Sequence, residues 1–181
     1  MALTRLGLNQ SINLATNVTG TLATGNGGTG ATSFTSGKIL QVVEGVQTSN
    51  NYTTSTSYST LFSKAITPSA TSSTILIIAT IGFNLYGNGS SSFPTGTIEL
   101  LDDGDNMIAR SFANASGNVS TDQTDQWNST LSLVQIDSPS TTSAHSYKIS
   151  YKAGGSGRFG ILGAGSSSNN SSSITLMEIG A

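Results

Sequence analysis

The stretch Ser73-Thr74-Ile75-Leu76-Ile77-Ile78-Ala79-Thr80-Ile81-Gly82-Phe83-Asn84-Leu85-Tyr86 sets the fold class. It is rich in β-branched and aromatic side chains, which suit a pleated, half-buried surface. Its longest apolar run, Ile75 to Ile81, is broken by Thr80 and followed by Gly82. That is far short of the ~20 apolar residues a bilayer-spanning helix needs, so no membrane insertion is expected. Ile75 to Ile78 is apolar on both faces. A strand here needs cover twice, once within a sandwich and once across a subunit interface.

Short segments of the same kind flank it on both sides. Lys38–Gln47 and Ser57–Thr67 precede it; Thr97–Leu101, Asn106–Phe112, Trp127–Ile136, Ser146–Lys152, Arg158–Leu162 and Ser173–Ile179 follow. Gly, Asn, Asp or Ser-Pro clusters bound them, as turns between strands do. Tyr147, Ile149 and Tyr151 alternate with polar residues, which predicts one buried face and one wet face. Asp102-Asp103-Gly104-Asp105 between two apolar runs reads as a tight hairpin. Pro68 and Pro139 fall just beyond strands, where a missing donor does no harm. The expectation is an all-β chain: a jelly-roll β-sandwich of about nine short strands over residues 38–181, with helix nearly absent.

Composition narrows the function classes. Gly, Ser, Thr and Asn make up about half of the 181 residues, while charged residues are 9% and the net charge is -2. A disordered chain this polar is usually highly charged and poor in β-branched residues, which this one is not. The seven Lys and Arg are scattered singly, so no basic patch awaits phosphates and no nucleic-acid partner is expected. With no cysteine, stability must come from packing and from oligomerisation. The N-terminus has no apolar core of the kind a secretory signal carries. The Asn-x-Ser/Thr triplets follow from composition.

Residues 1–37 read differently. Leu3, Leu6, Leu8, Ile12, Leu14, Val18 and Leu22 are spaced among Asn, Ser and Thr, and the stretch then breaks into a glycine-rich hinge with Gly25, Gly27, Gly28 and Gly30. Such an arm has too little apolar surface to fold alone, so its side chains are expected to be buried on another molecule. That points to an assembly component.

No motif outweighs this reading. Gly25-Asn26-Gly27-Gly28-Thr29-Gly30 matches G-x-G-x-x-G, but lacks the preceding buried strand and following helix that a dinucleotide site needs. Asp102, Asp103 and Asp105 offer clustered oxygens without the spacing of a calcium loop, so a solvated turn is expected. Asp122 and Asp125 have no evident partner, and nothing promotes the convergent carboxylate pair, about 5–9.5 Å apart, that a glycosidase requires. His145, the one histidine, lies where a Ser/Thr-rich connection enters a strand and reads as a surface residue. Without a nucleophile elbow or cysteine there is no triad or zinc signature. No catalytic residue, metal or cofactor is expected. Tyr52, Tyr58, Tyr86, Phe93 and Trp127 sit nearest loops and strand edges. Most are expected to fill the core; Tyr86, Phe93 and Trp127 are the candidates for an interface or a stacked ligand.

The arm carries a resemblance. Met1 to Ser11, Asn17-Val18-Thr19-Gly20-Thr21-Leu22 and Asn26-Gly27-Gly28-Thr29-Gly30-Ala31-Thr32 resemble the N-terminal arm of tail-fibre-like structural proteins of tailed bacteriophages, especially aquatic ones. Ala23 stands where that arm often has proline. Gly37 to Val43, Ile66 to Ser73, Asp137 to Ala144 and Ile174 to Ile179 are similar to a recurring C-terminal β-domain of the same proteins, so the resemblance covers nearly the whole chain. It implies a homotrimer on the virion surface, its arm towards the particle and its β-knob outwards.

Two functions follow from that resemblance. One is a short fibre or tail appendage whose knob contacts host-surface polysaccharide through loops such as Gly87–Thr95 and Asn114–Gln126. The other, favoured by the absence of a long shaft, is a capsid decoration (cement) protein whose arm laces between subunits of the major capsid protein. A polysaccharide-degrading enzyme is the third class, and it lacks promising acids.

Overall fold

The computed structural model describes residues 39–87, 94–114, 126–155, 157–164 and 171–180. Ten strands cover most of them: β1 (Ile39–Gln47), β2 (Asn51–Thr53), β3 (Ser59–Ile66), β4 (Thr74–Tyr86), β5 (Thr95–Leu101), β6 (Met107–Asn114), β7 (Gln126–Asp137), β8 (His145–Ala153), β9 (Arg158–Ile161) and β10 (Ser172–Ile179). No helix occurs among the described residues. The arm residues, the hinge glycines and Phe93 lie outside them.

The strands form two antiparallel sheets. β4 pairs with β10 and β9 along one side and with β7 along the other, while β1 pairs with β10 and β2 with β9. The second sheet runs β3-β8-β5-β6. Setting aside the short strands β2 and β9, the two sheets read β1-β10-β4-β7 and β3-β8-β5-β6. Eight strands crossing between two sheets in that order make a jelly roll. The predicted strands are found with boundaries shifted by a residue or two. β2 is the addition: its three residues, Asn51-Tyr52-Thr53, are too few to show a period of two.

The thirteen residues of β4 explain why the sheets meet where they do. Ile75, Ile77, Ala79, Ile81, Phe83 and Leu85 recur at every second position and are all buried. They face Ile98 and Leu100 of β5 and Tyr147, Ile149 and Tyr151 of β8, with Ile174, Leu176, Phe159 and Ile161 completing the core. Each fully buried side chain of this size contributes about 1.5–3 kcal/mol. Gly96 is required in this layer, because an added Cβ would lie 2.4 Å from the Phe159 ring. Of β4's outward residues, Leu76 and Ile78 are only partly buried, and no described residue covers them from above.

One polar stitch lets β9 and β10 share a single flank of β4. Ser172, fully buried, donates its hydroxyl to the Leu162 carbonyl at 2.8 Å and accepts from the Gly82 amide at 3.0 Å. The Leu162 amide in turn donates to the Gly82 carbonyl at 2.8 Å. A change of strand partner in mid-sheet would otherwise strand buried backbone groups without partners.

Two carboxylates fasten the sandwich, one to a loop and one across the sheets. Glu178, buried at the end of β10, accepts from the Ser69 amide, the Ser69 hydroxyl and the Gln41 amide, each at 2.6 Å. Burial pushes its carboxyl up, but these donors outweigh it and hold it at about 2. Tyr147 donates its phenol to Asp137 at 2.8 Å, and burial together with that carboxylate drives the phenol well above its ordinary range.

Two outcomes are expected from urea denaturation. Ile77→Ala should cost about 2–5 kcal/mol and Ile77→Val about 0.5–1.5 kcal/mol, because the sandwich closes on that position from both layers. Glu178 is charged at lower pH in the folded chain than in the unfolded one, so its contribution is complete above its ordinary value of 4.5 and drains away towards pH 2. Glu178→Gln should lower stability at pH 7 by about 1.5–3 kcal/mol and flatten the decline between those two pH values.

Candidate functional site

The outward face of the first sheet divides into two halves of different chemistry. Opposed residues in a ladder share a face, so the register gives the rows directly. At the end where Thr74 begins β4, one row reads Val42-Met177-Leu76-Ile136 and the next Glu44-Thr175-Ile78-Val134. Ile39, Val42 and Val46 on β1 are 59%, 53% and 43% exposed, and Val134 and Ile136 on β7 are 54% and 64% exposed. The most exposed apolar side chains thus lie on the two edge strands, with half-buried Met177, Leu76 and Ile78 between them. Glu44 is the only charge in these rows. Residue 39, where the described chain begins, is at this same end, paired with Ile179.

The far end of the same face, about 40 Å along β4, is aromatic and polar. The rows there place Tyr52, Gly160, Asn84 and Asn128 side by side, and then Arg158 beside Tyr86. The Arg158 guanidinium lies 4.3 Å from the Tyr52 ring centre and 4.6 Å from that of Tyr86. Two glycines make the clamp possible. At Gly160 an added Cβ would be 2.3 Å from the Tyr52 ring. Gly157, at φ +93°, turns the chain into β9 where an added Cβ would be 2.5 Å from the Tyr86 carbonyl oxygen. Asn84 donates to Asn128 at 2.6 Å beside it.

Of the aromatic candidates from the sequence, Tyr86 belongs to this clamp and Trp127 does not. Trp127 is paired with Leu85, so it points to the opposite side of the sheet from Tyr86, at the rim of the sandwich, and is 49% exposed. The expectation that most edge aromatics fill the core fails for all four that are described: Tyr52 and Trp127 are exposed, and Tyr58 and Tyr86 lie half-buried on outward faces. Core positions go instead to Tyr147, Tyr151, Phe83 and Phe159, which sit on inward-facing strand registers. The sequence marks Arg158 only as the start of a strand; an isolated arginine in a glycine-rich stretch gives no signal in one dimension.

The second sheet's outward face carries a covered ion pair beside Phe112, which is 66% exposed. Glu99, 6% exposed, accepts from the Nε of Arg110 at 2.7 Å and from its Nη2. Tyr58 lies over this pair, with Lys152 at 4.4 Å and Arg110 at 5.9 Å from its ring centre. Burial and the Glu99 carboxylate push the Tyr58 phenol up. Ser150 is covered as well, so the outward side of β8 is not uniformly wet as the alternation of Tyr147, Ile149 and Tyr151 suggests.

The remaining candidates resolve into structural roles. The hairpin tip is a turn: Asp102 accepts from the Asn106 amide at 2.8 Å and from its side chain at 2.9 and 3.1 Å, and Asp105 binds Lys148 at 2.7 Å. Those donors hold the Asp102 carboxyl below its ordinary range, against the opposing effect of burial. No cluster able to hold a metal ion exists among the described residues. His145 is not on the surface as expected; its side chain is 16% exposed, edge-on to Tyr147 and 3.9 Å from Asp137. The glycine-rich motif and Asp122 and Asp125 lie outside the described residues.

No family model matches the chain, and no curated protein does. Among solved structures it is similar to the infectious bursal disease virus VP2 subviral particle, at 14% identity and a TM-score of 0.30, covering 78% of this chain and 38% of that one. It is also similar to the Gx strain structure of the same virus (12% identity, TM-score 0.34, 79% and 38% covered) and to the Gt strain structure (15%, 0.33, 79% and 39%). The chain spans less than two fifths of the length of those proteins.

The clamp makes a signed prediction. Gly160→Ala should destabilise by about 1–3 kcal/mol when Tyr52 is present, through overpacking. In a Tyr52→Ala background the same change should be neutral or stabilising, because alanine costs less backbone entropy than glycine. A double-mutant cycle by urea denaturation reads the difference.

Proposed function

We propose that this chain is a non-enzymatic virion surface protein: a trimeric short fibre or tail appendage, anchored to the particle by its arm, residues 1–37, and presenting residues 38–181 as a β-knob to the host surface. The observation that carries the reading is the polarity of one sheet face. The chain joins the sandwich at the end bearing exposed apolar rows, and the aromatic and polar end lies opposite. Seven apolar side chains in the arm, Leu3 to Leu22, need burial on a partner such as a tail or major capsid protein. The sequence resemblance to phage tail-fibre arms points the same way.

Trimer formation has a physical rationale in the same face. The exposed apolar margins lie on opposite edges, β1 and β7. A β1 margin on one copy against a β7 margin on the next is a heterologous contact, which closes into a ring when the rotation is three-fold. Contiguous apolar surface on this scale marks an interaction site. The non-enzymatic reading is supported by what the carboxylates do: Glu99, Asp102, Asp105, Asp137 and Glu178 are each committed to a structural partner.

The same arm and face suit a capsid decoration protein, and copy number separates the two. Quantitative mass spectrometry of virions against the major capsid protein should return a few dozen copies or fewer for an appendage. Hundreds would make the chain a decoration protein that stabilises the head. Deleting residues 1–24 should leave a folded trimer that no longer joins the particle; normal incorporation would refute the anchoring role. Val134→Lys with Ile136→Lys should convert the trimer to monomer in sedimentation equilibrium while the circular dichroism spectrum is unchanged.

A further inference from the structure

We infer that the Tyr52-Arg158-Tyr86 clamp is a binding site for the carboxylate of an acidic sugar. The inference names the ligand class for the host-contacting end and to that extent rests on the reading above.

The argument begins with how Arg158 is held. Its guanidinium carbon lies over two aromatic rings, 4.3 and 4.6 Å from their centres. Cation–π attraction holds the group there without consuming its N–H donors. Its Nε is buried and has no hydrogen-bond partner. Among the described residues no carboxylate pairs with it, whereas Arg110 is bound to Glu99 and Lys148 to Asp105. Asp137 and Glu178 are both paired with Ile75, at the other end of β4. Arg158 is therefore a pre-oriented cation whose donors the described protein does not use.

Carboxylates and phosphates both match that fork through two parallel N–H···O bonds, and the single cation here balances the one charge of a carboxylate. What surrounds the fork favours a sugar as its carrier. Tyr52 is 43% exposed, leaving ring surface for the C–H face of a pyranose, and exposed Asn128, held by the buried Asn84 amide, supplies a polar group in the neighbouring row. An acidic peptide would be drawn by charge alone and would gain nothing from that arrangement. The construction is deliberate in the physical sense, since Gly157 and Gly160 each leave space that any side chain would close.

The test is isothermal titration of the full chain with tetrasaccharides of galacturonate, glucuronate and N-acetylneuraminate, with a neutral galactose tetrasaccharide and an oligoglutamate peptide as controls. Saturable binding of at least one acidic sugar, weakened by salt and absent with the neutral sugar, is expected. Arg158→Gln should weaken it roughly ten- to a hundredfold. Arg158→Lys should recover only part, because an ammonium lacks the fork. Tyr52→Leu, which leaves the charge in place, should weaken it severalfold while the circular dichroism spectrum stays that of the folded chain. No saturable binding to any of the three acidic sugars overturns the inference. So does undiminished binding by folded Arg158→Gln, or equal affinity for oligoglutamate. None of these outcomes depends on the copy count or arm deletion, so the site and the virion reading fail separately.

Discussion

The inward row of β4 is the constraint on which the rest of the structure depends. Six apolar side chains from Ile75 to Leu85 must be buried together, and hydrogen-bond donors and acceptors run along both edges of the same strand. Burying the row requires a second sheet; satisfying the edges requires partners over all thirteen residues. β7 is long enough to serve one edge alone. The other edge is divided between β10 and β9, and the Ser172 hydroxyl carries the hydrogen bonding across the gap. The jelly-roll order follows from meeting both demands with short strands.

Charge is used sparingly and almost entirely for fastening. Glu178 fixes the turn at Ser69 to the end of β10 and to Gln41 of β1. Asp137 anchors Tyr147 across the two sheets, and Glu99 with Arg110 joins the neighbouring strands β5 and β6. Each pair combines charge with direct hydrogen bonds, the arrangement that offsets the cost of taking a carboxylate out of water. Among the described residues Arg158 stands apart, because aromatic rings and no acid lie against it.

The two halves of the outward face show how one sheet can carry two kinds of surface. Moving along β4, the outward positions change from Leu76 and Ile78 to Asn84 and Tyr86 while the inward positions stay apolar throughout. Inward composition is dictated by the core and leaves no freedom. Outward composition is free, and here it is apolar where the chain joins the sandwich and polar-aromatic at the far end.

The all-β class, the strand segments and the buried alternation of Tyr147, Ile149 and Tyr151 were legible in the sequence, because period-two burial and turn chemistry are local properties written in consecutive residues. The apolarity of Ile75 to Ile78 on both faces also announced an outward surface in need of cover. Strand order could not be read that way, since pairing partners such as Ile77 and Gln135 are far apart in the chain and nothing in either segment names the other. The candidate site was legible only in pieces. Tyr52 and Tyr86 stood out as aromatics near strand edges, but Arg158 did not, and Trp127 looked like their companion until register placed it on the opposite side of the sheet. Tertiary structure alone decided the clamp, because it is made by three strands, β2, β9 and β4, whose registers bring one side chain from each to a single face.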